Sequence, residues 1–237
     1  MSDPVRVALV SEGPTDRMVI EAAIESILGV APFILKQLQP EESLPFSQVR
    51  GGWPGVYHWC RQAVGRAGAL RHDPLFVTFD ILILHLDADV AEKRYADAGI
   101  KDPPAEDLPC SEPCPPPDRT TDRLRAVILR WVGEVCVPPK TALCTPSKST
   151  EAWVLSALYP ADSVVRSGNL ECYATPEMRL QGKPMNGRLV ASGRKIPPVY
   201  RERAPEIRAA WPRVRACCTE AQRFSTDIET LSGLLQP

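Results

Sequence analysis

The chain has no run of the roughly 18 apolar residues needed to span a bilayer, and its start, MSDPVRVALVSEG, lacks a basic stretch followed by an apolar one. A membrane span and a secretory leader are therefore not expected, and the setting expected is cytoplasmic with no membrane partner. No Gly-x-x-x-x-Gly-Lys-Ser/Thr loop occurs, which excludes a P-loop ATPase within these 237 residues. Histidine is scarce, with three in the chain, and aromatics make up 6%. His58 and His72 carry no usable signal. No internal repeat is visible.

Cysteine is abundant by contrast. Eight stand at 60, 110, 114, 136, 144, 172, 217 and 218. In a reducing compartment these are expected as free thiols. The spacing of Cys110, Cys114, Cys136 and Cys144 matches no common zinc module. With 44% hydrophobic residues, the chain can fill a core without bridges.

Net charge is −1, but it is unevenly spread. Residues 1–118 carry 10 Lys+Arg against 18 Asp+Glu, and residues 119–237 carry 18 against 11. An acidic half can hold cations while a basic half meets phosphates; solvated surface charge would give the same imbalance.

The apolar run Val5–Val10 stops at Ser-Glu-Gly-Pro-Thr-Asp and reads as a buried strand. A helix follows from Thr15 or Asp16, with Gly29 suited to its end. Residues 32–38 predict a second strand, a polar loop comes next, and Gly51-Gly52-Trp53-Pro54-Gly55 predicts a turn before a helix over 56–70. Residues 79–86 (FDILILHL) form the most apolar strand, of the kind covered on both faces. Residues 101–118 hold seven prolines and predict a loop. A helix over 121–135, a short strand over 141–145 and a helix capped by Ser149 or Thr150 complete an alternating order. Two further helices are expected over 204–216 and 219–235. The pattern predicts an α/β fold: a mostly parallel, Rossmann-like sheet flanked by helices, with a C-terminal helical extension. The expected division is a metal-binding domain over 1–160 and a basic, mainly helical extension over 161–237.

Glu12 closes the first strand, and Asp87 and Asp89 close the central one. Ligands bind at that edge of an open parallel sheet. Alternation in extended chain would turn both carboxylates of Asp-x-Asp to one side. Asp16, in the first turn of the helix, can face the same cleft, and Gly13 permits close backbone approach. Hard oxygen ligands of this kind suit Mg²⁺ or Mn²⁺. His85, alone on an apolar strand, reads as a core residue. Trp53, Tyr57 and Trp59 could stack on bases but read more readily as core. Arg188, Arg194, Lys195, Arg201 and Arg203 form the densest basic stretch, for phosphates or simply for solvent.

VALVSEGPTDRMVIEAAI followed by ILILHLDADV resembles a TOPRIM domain, the metal-binding module of topoisomerases, primases and several nucleases. Glu12 matches that module's first motif, and Asp87 and Asp89 its second. The EGxTD form and PSKSTEAWVLSAL are most similar to the OLD-type branch, and the tail is similar to small stand-alone members. Where that branch often has Ser or Thr before Asp-x-Asp, this chain has His85 and Leu86. The resemblance implies a Mg²⁺- or Mn²⁺-dependent nuclease acting on DNA or RNA in anti-phage defence, with an ABC-type ATPase partner. Homo-oligomerisation stays open. It implies catalytic roles for Glu12, Asp87, Asp89 and Lys148, and metal binding by Glu12, Asp16, Asp87, Asp89 and Glu151. A non-catalytic scaffold and phosphoryl transfer on a small phosphate are the alternatives. No topoisomerase tyrosine or primase accessory module is identified, which argues against strand passage and primer synthesis.

Overall fold

The computed structural model describes residues 3–41, 51–184 and 187–235. Most of the polar loop expected after the second strand, residues 42–50, lies outside them. The elements run β1 (Val5–Val10), α1 (Pro14–Leu28), β2 (Phe33–Gln39), α2 (Gly52–Ala67), α3 (Leu75–Thr78), β3 (Ile81–His85), α4 (Asp118–Trp131), β4 (Thr141–Cys144) and α5 (Thr150–Leu158). Then come α6 (Ser163–Arg166), α7 (Pro176–Gln181), β5 (Val190–Ala191), β6 (Arg194–Lys195), α8 (Pro197–Cys217) and α9 (Thr219–Gly233). The protein is α/β.

Strands β1 to β4 form one parallel sheet in the order β2-β1-β3-β4. The chain steps outward from β1 to β2, then returns past β1 to β3. With right-handed crossovers, that reversal sends α1 to one face and α2 to the other. The two cores record it. Val7, Leu9, Ile81, Ile83 and Ala142 pack with α1, α5, α8 and α9. Ala8, Val10, Leu82, Leu84 and Leu143 pack with α2 and α4. Alternate residues of β3 thus enter opposite cores, which is why the strand is buried throughout and apolar but for His85. The β1/β3 boundary is the point where strand order reverses, and clefts open there beyond the C-terminal ends of the strands.

Three local expectations change. The Gly51–Gly55 cluster is not a turn ahead of a helix but the start of α2 itself. Gly52 takes the left-handed φ of 69° that glycine adopts freely, and Pro54 sits in the first turn, where its missing N–H has no partner to lose. Helix α8 begins at Pro197, earlier than expected. Prolines are tolerated in a first turn, and the helix continues through Pro205 and Pro212. Cys114 and Cys172, 58 residues apart in sequence, are joined in a disulfide. Here the proline-rich loop lies against the segment before α7, with the two Cα atoms 5.4 Å apart, inside the range a bridge requires. Cys60, Cys110, Cys136, Cys144, Cys217 and Cys218 are free. No cysteine joins a potential metal-binding group among the described residues.

Trp53, Tyr57 and Trp59 are buried, and Trp53 and Tyr57 pack with Tyr95 and Trp131, so this aromatic cluster is core. No helix among the described residues is long and apolar enough to cross a membrane. Ile83→Ala, at a fully buried site in the central strand, is expected to destabilise the fold by about 2–5 kcal/mol, measurable by urea unfolding.

Candidate metal and phosphate site

The C-terminal edge of the sheet gathers carboxylates from four segments. Glu12 follows β1, Asp16 lies in the first turn of α1, Asp87 follows β3 and Glu151 opens α5. Main-chain bonds fix the frame. The Asp87 N–H donates to Glu12 Oε1 at 2.8 Å, and the Gly52 N–H to the Glu12 carbonyl at 2.8 Å. The Thr150 N–H, at the N-terminus of α5, donates to Asp87 Oδ1 at 3.2 Å. That end of a helix favours an anion, so α5 helps to hold the Asp87 carboxylate. Thr150 Oγ1 donates to Asp16 Oδ1 at 2.8 Å. A Cβ at residue 13 would sit 3.4 Å from Asp16 Oδ2, so Gly13 gives this carboxylate its room.

Asp16, Asp87 and Glu151 are 3%, 6% and 0% exposed, and Glu12 is partly buried. Such crowding cannot leave every carboxylate ionised. Burial, with the charge of Asp87 beside it, pushes Glu12 up to about 8. Burial and the charge of Asp16 raise Asp87 well above the usual carboxylate range. Burial raises Glu151 also, against the pull of Lys195. Asp16 goes the other way. Burial would raise it, but the Lys195 ammonium, His85 and the Thr150 hydroxyl together hold it below its ordinary value.

Lys195 is the basic residue at the centre. Its Nζ lies 2.8 Å from Glu151 Oε1 and 3.5 Å from Asp16 Oδ1. Burial would lower its pKa, but Asp16, Glu151 and Asp87 drive it well above the ordinary lysine value. Tyr200 donates its hydroxyl to Glu151 Oε1 at 2.9 Å. His85 Nε2 lies 3.1 Å from Asp87 Oδ1.

Four of the six residues expected at the site converge: Glu12, Asp16, Asp87 and Glu151. Asp89 does not. A 3-10 turn over Ala88–Val90 starts directly after Asp87, so the alternation of extended chain ends one residue too early. The Asp89 side chain is half exposed and pairs with Lys93 at 3.1 Å. Lys148 lies on the neighbouring loop with a left-handed φ of 64°. Its carbonyl accepts the Asp89 N–H at 2.9 Å, and its side chain makes no ion pair among the described residues. Ser149 takes the N-cap position of α5, yet its hydroxyl bonds Glu177 instead of the helix. Sequence reasoning missed Lys195, Tyr200 and the contact of His85 with Asp87. Lys195 was visible only as one of a basic stretch, 179 residues from Asp16.

Two overlapping groups have donor atoms within 4.8 Å of one another: Glu12, His85 and Asp87, and Asp16, Asp87 and Glu151. Glu151 Oε2 and His85 Nδ1 are buried without a hydrogen-bond partner, and the Glu151 oxygen keeps lone pairs that a cation would satisfy. The carboxylate oxygens fit Mn²⁺ or Mg²⁺, whereas an imidazole suits Zn²⁺ or Fe²⁺. No protein family, curated protein or solved structure matches this chain.

The raised Glu12 pKa has a definite sign. Stability attached to its proton is full below pH 4.5 and is lost as pH rises to about 8. Glu12→Gln keeps the oxygen that accepts the Asp87 N–H. In metal-free protein it should therefore match wild type near pH 4.5 and exceed it by about 1 kcal/mol or more at pH 8. Thermal melts at the two pH values check this, with about 2–4 °C expected per kcal/mol.

Proposed function

We propose that this chain hydrolyses phosphodiester bonds in DNA or RNA with the help of Mg²⁺ or Mn²⁺, on a TOPRIM-like domain of the OLD-type branch. The observation that carries this reading is the gathering of Glu12, Asp16, Asp87 and Glu151 at the strand-reversal edge, three of them buried, with Lys195 paired to two and Glu151 Oε2 left unpartnered. Carboxylates gathered this closely repel one another, and one lysine offsets only part of that charge, which favours a bound cation.

Glu12, Asp87 and His85 would hold the cation, with Asp16 and Glu151 beside it around the Lys195 ammonium. Bound there, it would lower the pKa of water and polarise a phosphoryl oxygen. The protein's own groups supply the rest. The α5 N-terminus and Thr150 fix Asp87. The Lys195 ammonium places positive charge beside the reacting phosphate. Arg194 and Arg201 are exposed and make no ion pair among the described residues, so both can meet the sugar-phosphate backbone. An ABC-type ATPase partner and a role in anti-phage defence belong to the same proposal.

A scaffold reading draws on Lys195, which already neutralises part of the acidic charge. It expects no binding of Mn²⁺ at millimolar concentration. Nuclease assays on DNA and RNA with Mg²⁺ or Mn²⁺ test the main proposal. Asp87→Asn and Glu12→Gln should lose more activity than the roughly 10–100-fold that second-layer metal-site changes cost, and Asp89→Asn far less than Asp87→Asn. Variants that cleave as fast as wild type, or a wild type that cleaves no polynucleotide and takes up no Mn²⁺, would overturn it.

A further inference from the structure

The placing of Lys195 is more specific than charge balance requires. It ends β6, the second strand of a short hairpin with β5. The hairpin's turn uses Ser192 and Gly193, both left-handed, at φ 50° and 70°. From there the side chain, 30% exposed, reaches inward to Glu151 and Asp16. Each oxygen it meets already has another donor: Tyr200 on Glu151 Oε1 at 2.9 Å, and Thr150 on Asp16 Oδ1 at 2.8 Å. These two oxygens are arranged around an ammonium ion.

The other side of the cluster is different. Glu12 and Asp87 form no ion pair with Lys or Arg among the described residues. Their third neighbour, His85, keeps its Nδ1 buried without a hydrogen-bond partner. Asp87 belongs to both groups, so two cations bound side by side would share it.

We propose that the site takes one divalent cation, at Glu12, His85 and Asp87, and that the ammonium of Lys195 stands in the second cation position between Asp16 and Glu151. This inference rests on the metal-dependent reading above and adds the number of ions and the identity of the second positive charge. A divalent ion held by Asp16 and Glu151 at the usual roughly 2.0–2.1 Å would need the space that the ammonium fills. The like charge of Lys195 would also repel it. A lysine is available at all times, so the second charge would not depend on the free concentration of metal.

The test counts ions by calorimetry and by electron paramagnetic resonance, with MnCl₂ as the only ligand. Wild type should bind one Mn²⁺ in the low-millimolar range. Lys195→Met should bind two, the second at least about tenfold tighter than any second ion in wild type. Lys195→Arg, which keeps the charge, should stay at one. Two ions in wild type, or one in a folded Lys195→Met, would overturn the inference and leave the metal-dependent reading standing. No bound Mn²⁺ in wild type would overturn both. The wild-type count decides the matter even where Lys195→Met does not fold.

Discussion

The ion triad of Lys195 with Asp16 and Glu151 ties together segments that lie far apart in the chain. Asp16 lies in the first turn of the helix after β1, Glu151 in that of the helix after β4, and Lys195 comes from a hairpin beyond both. Burying two carboxylates without a cation would be strongly unfavourable. The docked hairpin supplies that cation at the edge of the sheet. Helix α8 follows it directly and lays Tyr200, Ile207, Trp211 and Val214 into the core shared with α1 and α5. Apolar packing supplies the affinity of that docking, and the triad supplies its register.

The frame of the fold was legible because it rests on local pattern. Alternate burial made β1 and β3 continuous apolar runs, and turn chemistry marked where they stop. Glu12 and Asp87 followed from strand ends alone. Asp89 went astray for a local reason: the backbone leaves the extended conformation at Ala88, and nothing in Asp-Ala-Asp announces it. Lys195 was out of reach for the opposite reason. Its role is set by tertiary distance, and a lysine among arginines carries no mark of burial. The Cys114–Cys172 bridge was equally hidden, since eight cysteines allow many pairings and spacing does not choose among them.

His85 shows how one side chain serves two readings. It belongs to the apolar central strand, fully buried, as a core residue would. It also lies beside the carboxylate that both candidate cation groups share. A position one residue along the strand would have faced the opposite core, so strand parity alone does not separate a packing histidine from a ligand. The separation comes from what its nitrogens meet: Asp87 at one, no partner at the other.

The distance along the chain between Asp16 and Lys195 has a consequence for synthesis. Asp16 leaves the ribosome long before its cation, which stands 179 positions further along the chain. Until the hairpin emerges, Asp16 and Glu151 lack the ammonium that meets them in the finished fold. The acidic cleft is therefore completed late, after the chain has grown most of its length. A truncated translation product ending before the hairpin would carry the acidic motifs without the charge arrangement of the finished site.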